Sequence, residues 1–180
     1  MSITTRRGDT GETDMLAGCR VRKSHPRIRA LGAVDELSAA LGLLSVSASL
    51  EETKTFVAQV QRWLIVLMGE LATPAGGEQR HAGRPSERMD DAMITFLDDW
   101  GARLEKDGCL HFDDWVLPGA AGVMSGAHAD LARTVCRRAE RLVVALEGTA
   151  DALPDDRIMR FLNRLSDVLW LVARWEERHA

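Results

Sequence analysis

Tyrosine is absent from this chain of 180 residues, and lysine is nearly so. Of 23 basic side chains only Lys23, Lys54 and Lys106 are lysines, and 20 are arginines. Arginine is a permanently charged planar fork suited to phosphate and carboxylate, although codon bias alone yields such a ratio. Cysteine is scarce: Cys19, Cys109 and Cys136 are an odd number at wide spacing. That argues against a disulfide framework or a paired-cysteine metal knuckle and fits reduced thiols in a cytoplasm. No signal peptide and no run of about 18 apolar residues is evident, so neither secretion nor a membrane partner is expected. There is no glycine-rich Walker loop, no serine nucleophile elbow and no convincing strand run.

What is present is charge, and it is segregated. Residues 1–30 carry a net charge of +4, residues 31–132 carry −9, and residues 133–180 carry +1. A domain this acidic overall is not expected to bind nucleic acid. A small polyanion at a local basic site fits better.

The 46% of hydrophobic residues suffices for one core without staples, and a single domain over residues 1–180 is expected. Residues 1–25 lack helical periodicity and are rich in Gly, Thr and Arg. Five amphipathic helices follow in residues 26–180, at about Pro26–Ala48, Leu50–Ala72, Ser86–Lys106, Val123–Glu147 and Asp156–Arg178. Pro26 suits a first helical turn. Ser49 and Glu52 read as a capping box. Asp107-Gly108 and Gly148 are stop signals. The expected fold is all-α, a five-helix antiparallel bundle with an irregular N-terminal loop.

Four constellations stand out, each with a plainer alternative. Thr5 to Thr13, with Arg6, Arg7 and two glycines, is either an anion cradle or a flexible arm. Arg133, Arg137 and Arg141 share one helix face, with Arg138 adjacent. They line either a phosphate site or a surface laced by acids such as Glu140 and Asp130. Asn163, Asp167 and Arg174 form a second polar face around Trp170, or contacts between helices. Asp35-Glu36 is either a solvated pair or the partner of an arginine of the fourth helix. Glu-x-x-His occurs as Glu78/His81 and Glu176/His179, in a loop and at the chain's end. Neither position suits a di-metal bundle, and His111 and His128 read as ordinary polar residues.

Taken together, the stretches Thr5–Thr13, Arg27–Leu37, Gly69–Pro74, Val116–Gly119, Ala132–Arg141 and Phe161–Arg174 resemble the PduO-type ATP:cob(I)alamin adenosyltransferases. The resemblance implies a helical bundle assembled as a homotrimer with active sites between subunits. It implies that Thr5, Arg6, Arg7, Gly8, Thr13, Asp14 and Lys23 bind ATP. Arg137, Arg138, Glu140, Arg141 and Asn163 would line the same nucleotide from a neighbouring subunit. Arg133, Arg137 and Asp35 would carry catalytic roles, with Arg133 and Asp35 as an intersubunit ion pair. Trp115 stands where the family has an aromatic residue, usually Phe, against the corrinoid.

The implied reaction is attack of cob(I)alamin on the ribose C5′ of ATP, with release of triphosphate. Mg²⁺ would arrive on the ATP, and no metal-ligating residue is expected. A flavin-type reductase is the implied electron source. The chain departs from the family's pattern at several points. Arg6 replaces a Lys, Ser38 an Asn, and Ala120 a Gly. Asp130 stands where His is common, and the stretch from Gly119 to Arg133 is slightly longer. The chain ends without the tail that helps cover the corrinoid in some members. A non-catalytic protein that delivers or senses ATP or adenosylcobalamin is the second reading. A purely structural helical interaction protein is the third, and the intact anion-binding set argues against it.

Overall fold

The computed structural model describes residues 4–74, 88–108 and 115–180. Glu78, His81, Cys109 and His111 lie outside them. Two short antiparallel strands, β1 (Glu12–Asp14) and β2 (Arg20–Arg22), precede five helices. The helices are α1 (Pro26–Ser47), α2 (Glu51–Ala72), α3 (Asp91–Gly108), α4 (Met124–Val144) and α5 (Arg157–His179). The all-α bundle is as expected, and the hairpin is the exception to a strand-free reading. Three-residue strands hold too little apolar alternation to be read from the sequence.

Packing follows the apolar stripes. α1 packs on α2 and α4, and α5 packs on α3 and α4. Phe56, Leu64, Leu67 and Leu71 of α2 meet Leu37, Leu41 and Leu44 of α1 in one buried core with Phe161 and Leu165 of α5. α4 contributes small residues to that core, Ala129, Ala132, Cys136 and Ala139, all fully buried. Small side chains let α1 and α5 close on α4 without voids. By length and composition α1 could cross a membrane, yet its buried stripe belongs to this core.

Helix ends depart locally from expectation. The Ser49/Glu52 capping box does not form. Instead Ser49 donates its backbone N–H and its hydroxyl to Glu176 of α5, at 3.0 and 2.8 Å. Glu52 accepts from Trp175 Nε1 at 2.6 Å and pairs with Arg103. Distant partners have outcompeted the local ones. α3 begins at Asp91 rather than Ser86, with Arg88–Asp90 non-helical. α4 ends at Val144, and turns lead to Gly148, whose φ of 69° supplies the expected stop.

Arg27 fixes where the N-terminal segment joins the bundle. It is 2% exposed. Its Nη1 donates to the carbonyl of Thr73 at 2.6 Å and also reaches those of Glu70 and Leu71. Its Nε and Nη2 donate to the carbonyls of Asp151 and Ala152, each at 3.1 Å. One guanidinium thus satisfies the C-terminal carbonyls of α2 and ties them to the α4–α5 connection.

Candidate active site

The N-terminal segment builds its own small scaffold. Opposite charges face each other across the hairpin, with Glu12 opposite Arg22 and Asp14 opposite Arg20. Arg20 bonds Glu12 and Asp14, each at 3.1 Å, and donates to the Arg7 carbonyl at 2.6 Å. Those carboxylates raise the pKa of the Arg20 guanidinium above its ordinary value. Arg7 pairs with Asp14 at 3.0 Å.

The loop before β1 is a sequence of tight turns. Asp9 N–H bonds the Arg6 carbonyl, and Gly11 N–H bonds the Gly8 carbonyl. Arg6, at φ 58°, is the one non-glycine residue with positive φ among the described residues. Such a conformation costs about 1 kcal/mol or more and collects at functional loops. Lys23 lies over Gly8: a Cβ there would come within 3.0 Å of Nζ. Gly8 therefore makes room for the ammonium. Arg7 meets Asp14 and Lys23 meets Gly8, with Arg6 and Thr13 beside them in the chain and Thr5 just ahead of the turn. Arg20, which bonds Asp14 and the Arg7 carbonyl, was missed. The signal was present as two acids and two arginines spaced by two.

A second group lies on α4 and α5. Arg137, Glu140 and Arg141 line a recess of about 500 Å³ with Val144 and Ala145. Glu140 accepts from Asn163 Nδ2 at 3.1 Å. Arg137 and Arg141 are exposed and have no hydrogen bond or ion pair among the described residues. Arg138 points elsewhere and pairs with Glu36 of α1. Of the two adjacent α1 acids it is therefore Glu36 that meets an α4 arginine among the described residues, while Asp35 is exposed. The ion pairs of Arg7 and Asp14 given above stay inside the N-terminal segment.

A cleft of about 480 Å³ forms the third group, lined by Trp115–Pro118, Glu105, Asp130, Arg133, Asp167, Trp170 and Leu171. Trp115 is 86% exposed and so is not a core aromatic. Arg133 is drawn into this cleft, away from Arg137 and Arg141. Asn163, Asp167 and Arg174 lie along one side of α5 but differ in burial. The first two are exposed, while Arg174 is buried against Asp130 of α4 at 2.7 Å. Burial opposes the charge on Arg174, but bonds from Glu177 and Asp130 outweigh it and raise the pKa. Glu105, one of several exposed acids of α3, carried no sequence signal.

Cys136 is fully buried, and burial pushes its thiol far above the ordinary range, so it is no nucleophile. Among the described residues no three His, Cys, Asp or Glu side chains cluster as a metal site. The acids of β1, Glu12 and Asp14, are engaged by Arg20.

The cobalamin adenosyltransferase family profile matches residues 3–176. A corrinoid adenosyltransferase, PduO of Salmonella typhimurium, is 37% identical over all of this chain, which spans 51% of that protein's length. A cobalamin adenosyltransferase of Cupriavidus metallidurans is 38% identical over 96% of this chain and 86% of its own length. Among solved structures, a variant PduO-type ATP:corrinoid adenosyltransferase of Lactobacillus reuteri, complexed with cobalamin and ATP, superposes with a TM-score of 0.85. That match has 26% identity and covers 98% of this chain and 94% of the other. With five helices in the same arrangement and a family match over almost its whole length, the chain belongs to the cobalamin adenosyltransferase family.

Proposed function

We propose that the chain transfers the 5′-deoxyadenosyl group of ATP to cob(I)alamin, giving adenosylcobalamin and triphosphate. The observation that carries this reading is the α4 recess, where two guanidiniums without carboxylate partners among the described residues face one cavity. A Co–C5′ bond forms, the C5′–O bond breaks, and its electron pair leaves with the triphosphate. Cob(I)alamin is itself the nucleophile, so no protein base is required. The protein's work is to align C5′ and to stabilise charge growing on the triphosphate. Thr5, Arg6, Arg7, Gly8, Thr13, Asp14 and Lys23 would contact ATP from one side. Arg137, Arg138, Glu140, Arg141 and Asn163 would line the same nucleotide from a neighbouring subunit. Mg²⁺ would enter as part of the nucleotide substrate.

Support for a homotrimer comes from the exposed apolar residues Leu43 and Val46 of α1 and Met124 and Leu131 of α4. Asp35, exposed on α1, would pair with Arg133 of another subunit. The free thiols of Cys19 and Cys136 fit a reducing cytoplasm. Reduction of Co(II) would need an external donor such as a flavin-type reductase.

Purified protein given Mg-ATP and chemically reduced cob(I)alamin is expected to yield adenosylcobalamin and triphosphate in equal amounts. ATP binding with the corrinoid unchanged would instead favour a delivery or sensor protein. In the same assay Trp115→Ala is expected to slow turnover from cob(II)alamin about tenfold or more beyond any effect on pre-reduced cob(I)alamin. The indole would press on the corrinoid face and displace its lower ligand, which matters only before reduction. Equal losses from both starting states would remove that role.

A further inference from the structure

The cleft beside Trp115 contains an acid that the proposed reaction does not use. Asp130 is 2% exposed. Its Oδ1 accepts from Arg133 Nε at 2.9 Å, and its Oδ2 from Arg174 Nη2 at 2.7 Å. Arg174 is itself held by Glu177 at 2.6 and 2.9 Å, and its guanidinium lies 5.5 Å from the centre of the Trp170 ring. Glu177 reaches it by crossing Gly126, where a Cβ would sit 2.6 Å from Glu177 Cγ. Gly126, Asp130 and Arg133 of α4 thus face Arg174 and Glu177 of α5.

Two acids and two guanidiniums cancel in charge, which is what a buried ionic cluster requires. Within it only Arg133 and Asp130 reach the cleft. Arg133 spends its Nε on Asp130, and its two Nη nitrogens have no partner among the described residues. A long, rotamer-rich side chain is therefore gripped at its base and left with two directed donors.

We propose that Asp130, held in place by Arg174, is a positioning residue that fixes Arg133 and so presents one Nη nitrogen to the corrinoid cleft, while the other remains for the proposed pair with Asp35 of another subunit. This rests on the corrinoid reading given above. Asp130 touches no reacting atom; it acts through Arg133.

The test titrates the full chain with cob(II)alamin, following tryptophan fluorescence, alongside thermal melts and the KM for ATP. Asp130→Asn is expected to weaken corrinoid binding about tenfold with the KM for ATP unchanged. In an Arg133→Met background the same substitution is expected to add less than about twofold, because the two act as one unit. Glu176→Gln removes a different buried carboxylate of α5, bonded to Ser49. It is expected to lower the melting temperature while leaving corrinoid binding as in the parent.

The inference is overturned if Asp130→Asn binds corrinoid like the parent. It is also overturned if the Asp130→Asn effect persists in full without Arg133, or if Glu176→Gln weakens binding equally. Failure of the parent chain to bind corrinoid would take the corrinoid reading down as well. Parent binding with a silent Asp130→Asn would sink this inference alone.

Discussion

Replacing Arg137 by alanine is expected to lower the rate of adenosyl transfer by about 10²–10³, the usual cost of removing one donor aimed at developing charge. The same change should alter folding stability by no more than about 0.5 kcal/mol, as for other surface positions without a partner. The contrast follows from Arg137's surroundings. It is exposed on α4, bonded to nothing else among the described residues, and faces the recess beside Arg141. Its charge therefore contributes little to the fold and is available to a triphosphate. Steady-state rates with saturating Mg-ATP, set beside a thermal melt, separate the two effects. A variant that loses activity and stability in proportion would return Arg137 to an ordinary bundle face. Arg137→Lys should recover only part of the rate, because an ammonium keeps the charge but not the planar fork.

The second large effect concerns stability. Arg27→Met should destabilise the chain by about 3–5 kcal/mol, the range for removing one member of a buried charged network. For a chain of this size that lowers the melting temperature by about 10 °C. Methionine fills the volume, so the loss would come from carbonyls of Glu70, Leu71, Thr73, Asp151 and Ala152 left without a donor. Arg27→Lys should rescue little, since one ammonium cannot span both sets of carbonyls. A melting temperature within about 2 °C of the parent would show that water satisfies those carbonyls in place of Arg27.

The two arginines also show how far the sequence could be read. Arg137 was legible because spacings of four place it with Arg133 and Arg141 on one helix face. Arg27 was not, because its partners lie 43 to 46 and 124 to 125 residues away, and spacing within one helix says nothing about them. The five helices were legible from periodicity, since each buries a continuous stripe. Their ends were less so. Ser49 and Glu52 have the form of a local cap, but Glu176, Trp175 and Arg103 offered better-placed partners. The split of Arg133 from Arg137 and Arg141 was likewise hidden, because it depends on Asp130 being gripped from α5 by Arg174. Asp35 and Glu36 differ by one position and hence by about 100° around α1, and only packing decides that Glu36 meets Arg138.

The N-terminal hairpin has one further consequence. Among the described residues between 4 and 25, only Met15 is buried, and the segment is held by its strand pairing, surface ion pairs and turn hydrogen bonds. Exposed pairs of this kind contribute little each and weaken with salt. The hairpin is therefore expected to open at a lower free energy than the helices, a difference that hydrogen exchange would read. Any ligand that bridges its turns would raise the hairpin's stability by mass action without changing the bundle's own. On the proposed reading, nucleotide occupancy rather than the hydrophobic core would set how long this part of the molecule stays closed.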